Sequence, residues 1–261
     1  MLPPSAGKAD PARHPAAGPP LEIAALSLPA LGETRSRVLD ALVELARGPL
    51  VPAMAVLGLG PSQAGEVRRD AGLRDAATLP ASQLYTGVLY RALDLSTLPL
   101  PARTRAQTVL LTVSALFGWL RPDDRIPAYR LAMSTSLPGI GRLAGVRRPV
   151  LSAALPGLGR SGLLVDLRSS AYAAAFRPGP ELAGRTVSVR VVREHQGRRT
   201  VVSHHAKHTR GLIARHLLET GAQPRSAGAL AEALGVRWVV ELHPRRLASQ
   251  PWSLDVVETL D

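Results

Sequence analysis

The chain has no cysteine, only 3% aromatic residues and almost no lysine. Without cysteine there is no disulfide, no thiolate metal site and no cysteine nucleophile, and the composition suits a reducing cytoplasm. With so few aromatics the core has to be built from Ala, Leu and Val. Long apolar runs are missing as well. The longest, around 49–60 and 109–120, are about a dozen residues, short of the roughly twenty needed to span a bilayer, so no membrane contact is expected. Met1-Leu2-Pro3-Pro4-Ser5 has no basic segment followed by an apolar one, so no secretory signal is read. There is no G-K-[ST] P-loop and no G-x-G-x-x-G after a strand, so nucleotide-cofactor folds gain no support and no cofactor is expected.

The scarcity of lysine says most. Of 32 basic residues only Lys8 and Lys207 are lysines; the rest are Arg. A guanidinium stays protonated, whereas an ammonium is a compact charge that loses its proton when buried. Two lysines kept against this bias are either chance survivors or placed for chemistry that Arg cannot do. Against 20 acidic residues the basic ones leave a net charge of +12. Such a charge attracts polyanions, nucleic acid being the commonest partner. An Arg-rich surface reflecting composition alone is the other reading.

What remains describes a globular chain: 261 residues, 46% hydrophobic, mean hydropathy near zero. Residues 1–20 read as a Pro/Gly-rich loop. Val38, Leu39, Leu42, Val43 and Leu45 give a helical stripe over Glu33–Arg47, stopped by Gly48-Pro49. Further helices are expected from Pro61 to about Ala71, near Ala102–Gln107, over Ala206–Glu219, and from a Ser226 cap to Leu234. Strands are expected at Thr108–Ser114, Gly162–Leu167, Trp238–Leu242 and Ser253–Glu258. A hairpin pairs Thr186–Arg193 with Thr200–His204 around Gln196-Gly197. Strands and helices interleave without a long linker, which predicts a single mixed α/β domain.

Leu137-Pro-Gly-Ile-Gly-Arg142 nearly repeats as Leu155-Pro-Gly-Leu-Gly-Arg160. The form suits a helix-hairpin-helix turn over 133–155, in which the amides at Gly139 and Gly141, with Arg142, approach a DNA phosphate. A plain Pro-Gly loop is the alternative, and the second copy, running into a strand, reads as a turn.

Five segments together resemble the YaaA peroxide-stress family. They are Pro3-Pro-Ser-Ala-Gly-Lys8; Leu84-Tyr-Thr-Gly87; Ser114-Ala-Leu-Phe-Gly-Trp-Leu-Arg-Pro-Asp-Asp124 with Ala128-Tyr-Arg-Leu131; Asp166-Leu-Arg-Ser-Ser-Ala-Tyr172; and Ala206-Lys-His-Thr-Arg-Gly-Leu-Ile-Ala-Arg215. The resemblance implies a cytoplasmic mixed α/β protein with a positively charged cleft. It also implies a helix-hairpin-helix element, DNA binding and a role in surviving hydrogen peroxide. The chain departs from the family pattern: only Met1-Leu2 precede the lysine element, and Ala171 and Ala132 stand where acidic residues are usual. An aromatic usual near Val146 is absent.

Both lysines and three of the four tyrosines, Tyr85, Tyr129 and Tyr172, fall in these segments. With Thr86, Arg121, Arg130, Arg168, Ser169, Arg210 and Arg215 they form the expected anion-binding set, Arg for bidentate contact and Lys as a point charge. Asp124 is placed to orient one of the arginines. A salt-bridge cluster that merely ties the fold together is the alternative. A lysine with a lowered pKa acts as a base or forms a Schiff base, with Tyr85 as proton relay. His204-His205-x-x-His208 has metal-ligand spacing, but no Glu or Cys completes it, and no metal is expected. Two functions follow. One is DNA binding through phosphate contacts in a stress response. The other is an enzyme on a phosphorylated or nucleobase-like small molecule, with Lys8, Lys207, Tyr85 and Arg121 in one pocket. Residues meeting in a pocket favour the enzyme; residues spread along a groove favour DNA.

Overall fold

The helical stripe between residues 33 and 47 forms α1 (Gly32–Arg47), with Val38, Leu39, Leu42 and Val43 buried. The computed structural model describes residues 1–155, 162–195, 198–200 and 203–259. After α1 come α2 (Leu50–Leu57), α3 (Ala64–Asp70) and α4 (Ala81–Leu84). Then follow α5 (Val88–Leu93) and α6 (Leu100–Val109). Later helices are α7 (Leu143–Ala154), α8 (Ser170–Ala173), α9 (Pro180–Ala183), α10 (Ser203–Thr220) and α11 (Ala227–Gly235). Helix α2 carries no sequence period because its run is apolar all round, and periodicity is what the eye can read.

Among the described residues the strands form four small sheets. Strands β1 (Gly18–Pro20), β2 (Ala77–Pro80) and β5 (Arg125–Ile126) make one; β3 (Thr112–Ser114) and β4 (Gly118–Leu120) make a hairpin. A second hairpin joins β6 (Ser136–Leu137) to β7 (Gly141–Arg142). The largest sheet runs β10 (Arg198–Thr200), β9 (Thr186–His195), β12 (Trp252–Thr259), β11 (Val239–His243). Strand β8 (Leu164–Asp166) pairs parallel with the start of β9, on the edge that β10 takes further along. Met1 and Leu2 link the parts. Leu2 bonds to Leu111 and Val113, and the Met1 carbonyl accepts from Leu167. The mixed α/β class is therefore as expected, and one apolar core runs from Met1 to Val256.

Three local expectations are corrected. The strand expected from Thr108 begins only at Thr112, because α6 extends to Val109. Its last turn is held by the Thr108 hydroxyl donating to the Arg105 carbonyl at 2.9 Å. The returning hairpin strand does not reach His204, since Ser203 already starts α10, whose buried Ala206, Thr209 and Ile213 follow helical spacing. The segment 133–155 is a β-hairpin followed by one helix. Residues 127–135 form no helix, so the turn joins two strands and no helix-hairpin-helix is present there. Gly139 and Gly141 hold φ of +67° and +89°, which L-residues adopt at a cost, and this explains both glycines without a ligand. The second copy of the motif, at 156–160, lies outside the described residues.

Candidate active site around Lys8

The first two sequence segments are partners in space. Lys8 and Tyr85 form an antiparallel bridge, with Ala9 donating to the Leu84 carbonyl at 2.8 Å and Thr86 to the Gly7 carbonyl at 3.2 Å. Tyr90 pins the start of the loop by donating to the Pro3 carbonyl at 2.8 Å. A Cβ at Gly87 would collide with the Ser5 hydroxyl, so the glycine permits this approach.

The bridge carries the Lys8 side chain onto aromatic rings. Its Nζ lies 4.2 Å from the centre of the Tyr129 ring and 5.7 Å from that of Tyr85, and donates to the Ser5 carbonyl at 2.9 Å. It makes no ion pair among the described residues. The ring faces and carbonyl favour the ammonium. Burial opposes it more strongly, followed by the neighbouring Arg130 charge, and the pKa falls to about 7.

Asp70, at the end of α3, is the opposite charge that acts most strongly on Lys8, pulling its pKa upward. It is fully buried; its Oδ1 accepts from the Arg130 amide at 2.9 Å, and its Oδ2 has no partner. Burial lifts its pKa to about 7, against the pull of that amide and of Lys8. Sequence reasoning missed this residue. It lies in an ordinary charged helix turn, and only the tertiary contact with Arg130 sets it apart.

Three hydroxyls run in a chain beside the amine. Ser114 Oγ accepts from the amides of Leu116 and Phe117, at 3.1 and 3.0 Å. Both its acceptor sites are then filled, so its own proton goes to the Tyr129 oxygen at 2.7 Å. Tyr129 and Tyr85 share one further bond at 3.0 Å, so one of their two phenolic protons has no acceptor among the described residues. Burial raises the pKa of both phenols, keeping them protonated donors. Tyr172 closes the cluster, its own pKa raised first by burial and then by Tyr129. The Arg130 guanidinium makes no hydrogen bond or ion pair among the described residues, which leaves it for an anion.

The other expected residues serve the scaffold or stand apart. Arg121 donates to the Gln107 and Thr108 carbonyls at 3.3 and 2.7 Å, capping α6. Asp124 does not orient it; its carboxylate takes the backbone amides of Ser27 and Arg121, both at 2.7 Å. Arg168 forms a buried two-bond pair with Asp166 at 2.8 and 2.6 Å and reaches the carbonyls of Tyr172 and Phe176. It thereby braces α8, where Ser169 precedes the first turn. Arg215 caps α5 through the carbonyls of Leu93 and Asp94. Arg210 is half-buried near Asp166. Lys207, Thr86, Gly139, Gly141 and Arg142 are exposed, and Lys207 and Arg121 are not among the charges acting on Lys8. The expected pocket of Lys8, Lys207, Tyr85 and Arg121 thus reduces to Lys8 and Tyr85, joined by Tyr129, Tyr172, Arg130 and Asp70.

Two buried arginines that the sequence did not flag hold the β3–β4 turn behind Ser114. Arg35 donates to the carbonyls of Phe117 and Trp119, both at 2.8 Å, and of Ser27 and Leu28. Arg147 donates to those of Ala115 and Leu116. Elsewhere Glu241, His243 and Asp255 bring ligand-type atoms within 4.8 Å of one another, but Arg190 already holds both Asp255 oxygens at 2.6 Å. His204 lies in α10 rather than ending a strand, and His205 and His208 are exposed. Among the described residues no helix is long and apolar enough to cross a membrane.

The class defined by these features is a mixed α/β protein organised around a buried lysine–tyrosine cluster. Residues 1–234 match the family described as peroxide stress protein YaaA. The chain is 46% identical over 258 residues to a UPF0246 protein of Streptomyces coelicolor, covering 98% of this chain and 97% of the relative. It is 35% identical over 253 residues to a UPF0246 protein of Corynebacterium efficiens, covering 94% and 96%. The chain belongs to the YaaA peroxide stress family.

Proposed function

We propose that this chain is an enzyme of the peroxide-stress response that uses Lys8 as a neutral amine on a phosphorylated or nucleobase-like small molecule. The observation that carries this reading is convergence. Lys8, Tyr85, Tyr129, Tyr172, Arg130 and Asp70 meet in one cluster, whereas Arg121, Arg168 and Arg215 are bound to the protein's own carbonyls and carboxylates. An amine half-neutral at physiological pH, beside a protonated phenol and a buried carboxyl, is suited to covalent or proton-transfer chemistry. The free Arg130 guanidinium supplies the anion contact.

DNA binding is the second reading. It is favoured by the net charge of +12 and by the exposed Gly139, Gly141 and Arg142 turn leading into α7. Complementation of a peroxide-sensitive strain lacking its own copy separates the two. The enzyme reading expects Lys8→Arg to lose protection while Lys207→Arg keeps it, since charge is retained in both. Full protection by Lys8→Arg would remove the enzyme reading.

A further inference from the structure

The cluster holds more than an amine. Lys8 Nζ lies over two tyrosine rings, and the strongest charges acting on it are those of Arg130, whose guanidinium is unengaged among the described residues, and Asp70, one of whose carboxyl oxygens is unpartnered. One phenolic proton has no acceptor among the described residues. A lysine working only as a base needs none of these donors. An amine adding to a carbonyl has a use for each of them. The carbonyl oxygen must be held, then protonated and removed, while an anionic group of the same molecule is anchored.

We propose that Lys8 Nζ forms an imine with the aldehyde or ketone of a phosphate-bearing substrate, and that Asp70 is the proton donor for the step. Nζ adds its lone pair to the carbonyl carbon, and the π electrons pass to oxygen, which the free phenolic proton of Tyr85 or Tyr129 steadies. The nitrogen gives up one proton and the oxygen gains it. Asp70 then delivers a second proton to that oxygen, the C–O bond breaks, and water leaves as C=N forms. Loss of the remaining N–H proton returns a proton to Asp70. The balance is amine plus carbonyl to imine plus water, with no oxidant or reductant. A carboxyl with its pKa at about 7 is poised to give and regain that proton near neutrality.

Two sources offer the same chemistry: a free sugar phosphate in its aldehyde form, and the ring-opened sugar of an abasic site in DNA, flanked by phosphates. The inference rests on Lys8 being a neutral amine. Its test is trapping with cyanoborohydride, which reduces the imine to a stable secondary amine, followed by peptide mass mapping. One arm uses glyceraldehyde 3-phosphate and the other an oligonucleotide bearing one abasic site. An ordinary lysine is neutral to about one part in a thousand at pH 7, so Lys8 is expected to label at least about tenfold faster than Lys207 in one arm. The arm that labels identifies the source. Asp70→Asn is expected to slow labelling of Lys8 by roughly a hundredfold. Unchanged labelling in a folded Asp70→Asn variant would overturn the role of Asp70. Equal labelling of both lysines in the wild type overturns the imine site without recourse to any variant. No label in either arm, with Lys8 titrating near 7, overturns the imine but leaves the amine site standing. A Lys8 that titrates as an ordinary lysine overturns both.

Discussion

Lys8 and Asp70 are driven toward their neutral forms by the same burial, and the two effects meet at the same pH. The folded-state pKa of Asp70 is raised from 3.8 to about 7, so its contribution to stability is full below 3.8 and lost as pH rises through about 7. That of Lys8 is lowered from 10.5 to about 7, so its contribution is full above 10.5 and lost as pH falls through about 7. Together they place a stability minimum near neutral pH. Urea midpoints of Asp70→Asn are expected to gain on wild type between pH 5 and pH 8. Those of Lys8→Met are expected to gain most at or below pH 7 and least near pH 10. Parallel curves for wild type and Asp70→Asn would mean that the carboxyl titrates normally. Lys8 stood out by the scarcity of lysine, and Tyr85, Tyr129 and Tyr172 by the segments that resemble the family. Asp70 did not, because its importance comes from an Arg130 amide 60 residues away.

Two elements show why sequence segments that look catalytic turn out to be architectural. In the segment Ala206–Arg215, the part that reads as a basic anion site is a helix–helix joint. Gly211 sits so close to the Leu89 carbonyl of α5 that a Cβ would clash, and Arg215 caps the end of the same helix. Gly211→Ala is therefore expected to destabilise the protein by roughly 2–3 kcal/mol, read as a lowered urea midpoint. The β3–β4 turn is a second case. Its carbonyls have no sheet neighbour to bond, and Arg35 supplies the donors from α1. Arg35→Met is expected to cost about 3 kcal/mol or more, because it leaves several buried carbonyls without a partner. A cost under about 1 kcal/mol would show that water replaces the guanidinium. Periodicity made α1, α10, α11 and the long strands readable. The two buried arginines were invisible, since an Arg-rich chain hides the few whose charge is spent inside.

At the scale of the whole molecule the Arg excess and the Lys deficit have different consequences. The net charge of +12 predicts salt-dependent attraction to any polyanion. Fluorescence anisotropy with duplex DNA is expected to give binding that weakens steeply with salt and survives a Lys8→Arg/Lys207→Arg exchange. Loss of binding on that exchange would tie DNA to the lysines themselves. The fold class follows from patterns that run the length of the chain, whereas the pairing of the lysine loop with the tyrosine segment is visible only in the structure. The distribution of arginines between inside and outside does not follow from such patterns either, because burial is decided by neighbours distant in sequence. The deficit makes the central claim directly measurable. With only two lysines, a ¹³Cε spectrum of lysine-labelled protein holds two side-chain signals, and Lys207→Arg assigns them. Titrated from pH 5 to 11, Lys8 is expected to show a midpoint near 7. A midpoint at or above about 10, the value of an unperturbed lysine, would contradict the account of this site as a neutral amine.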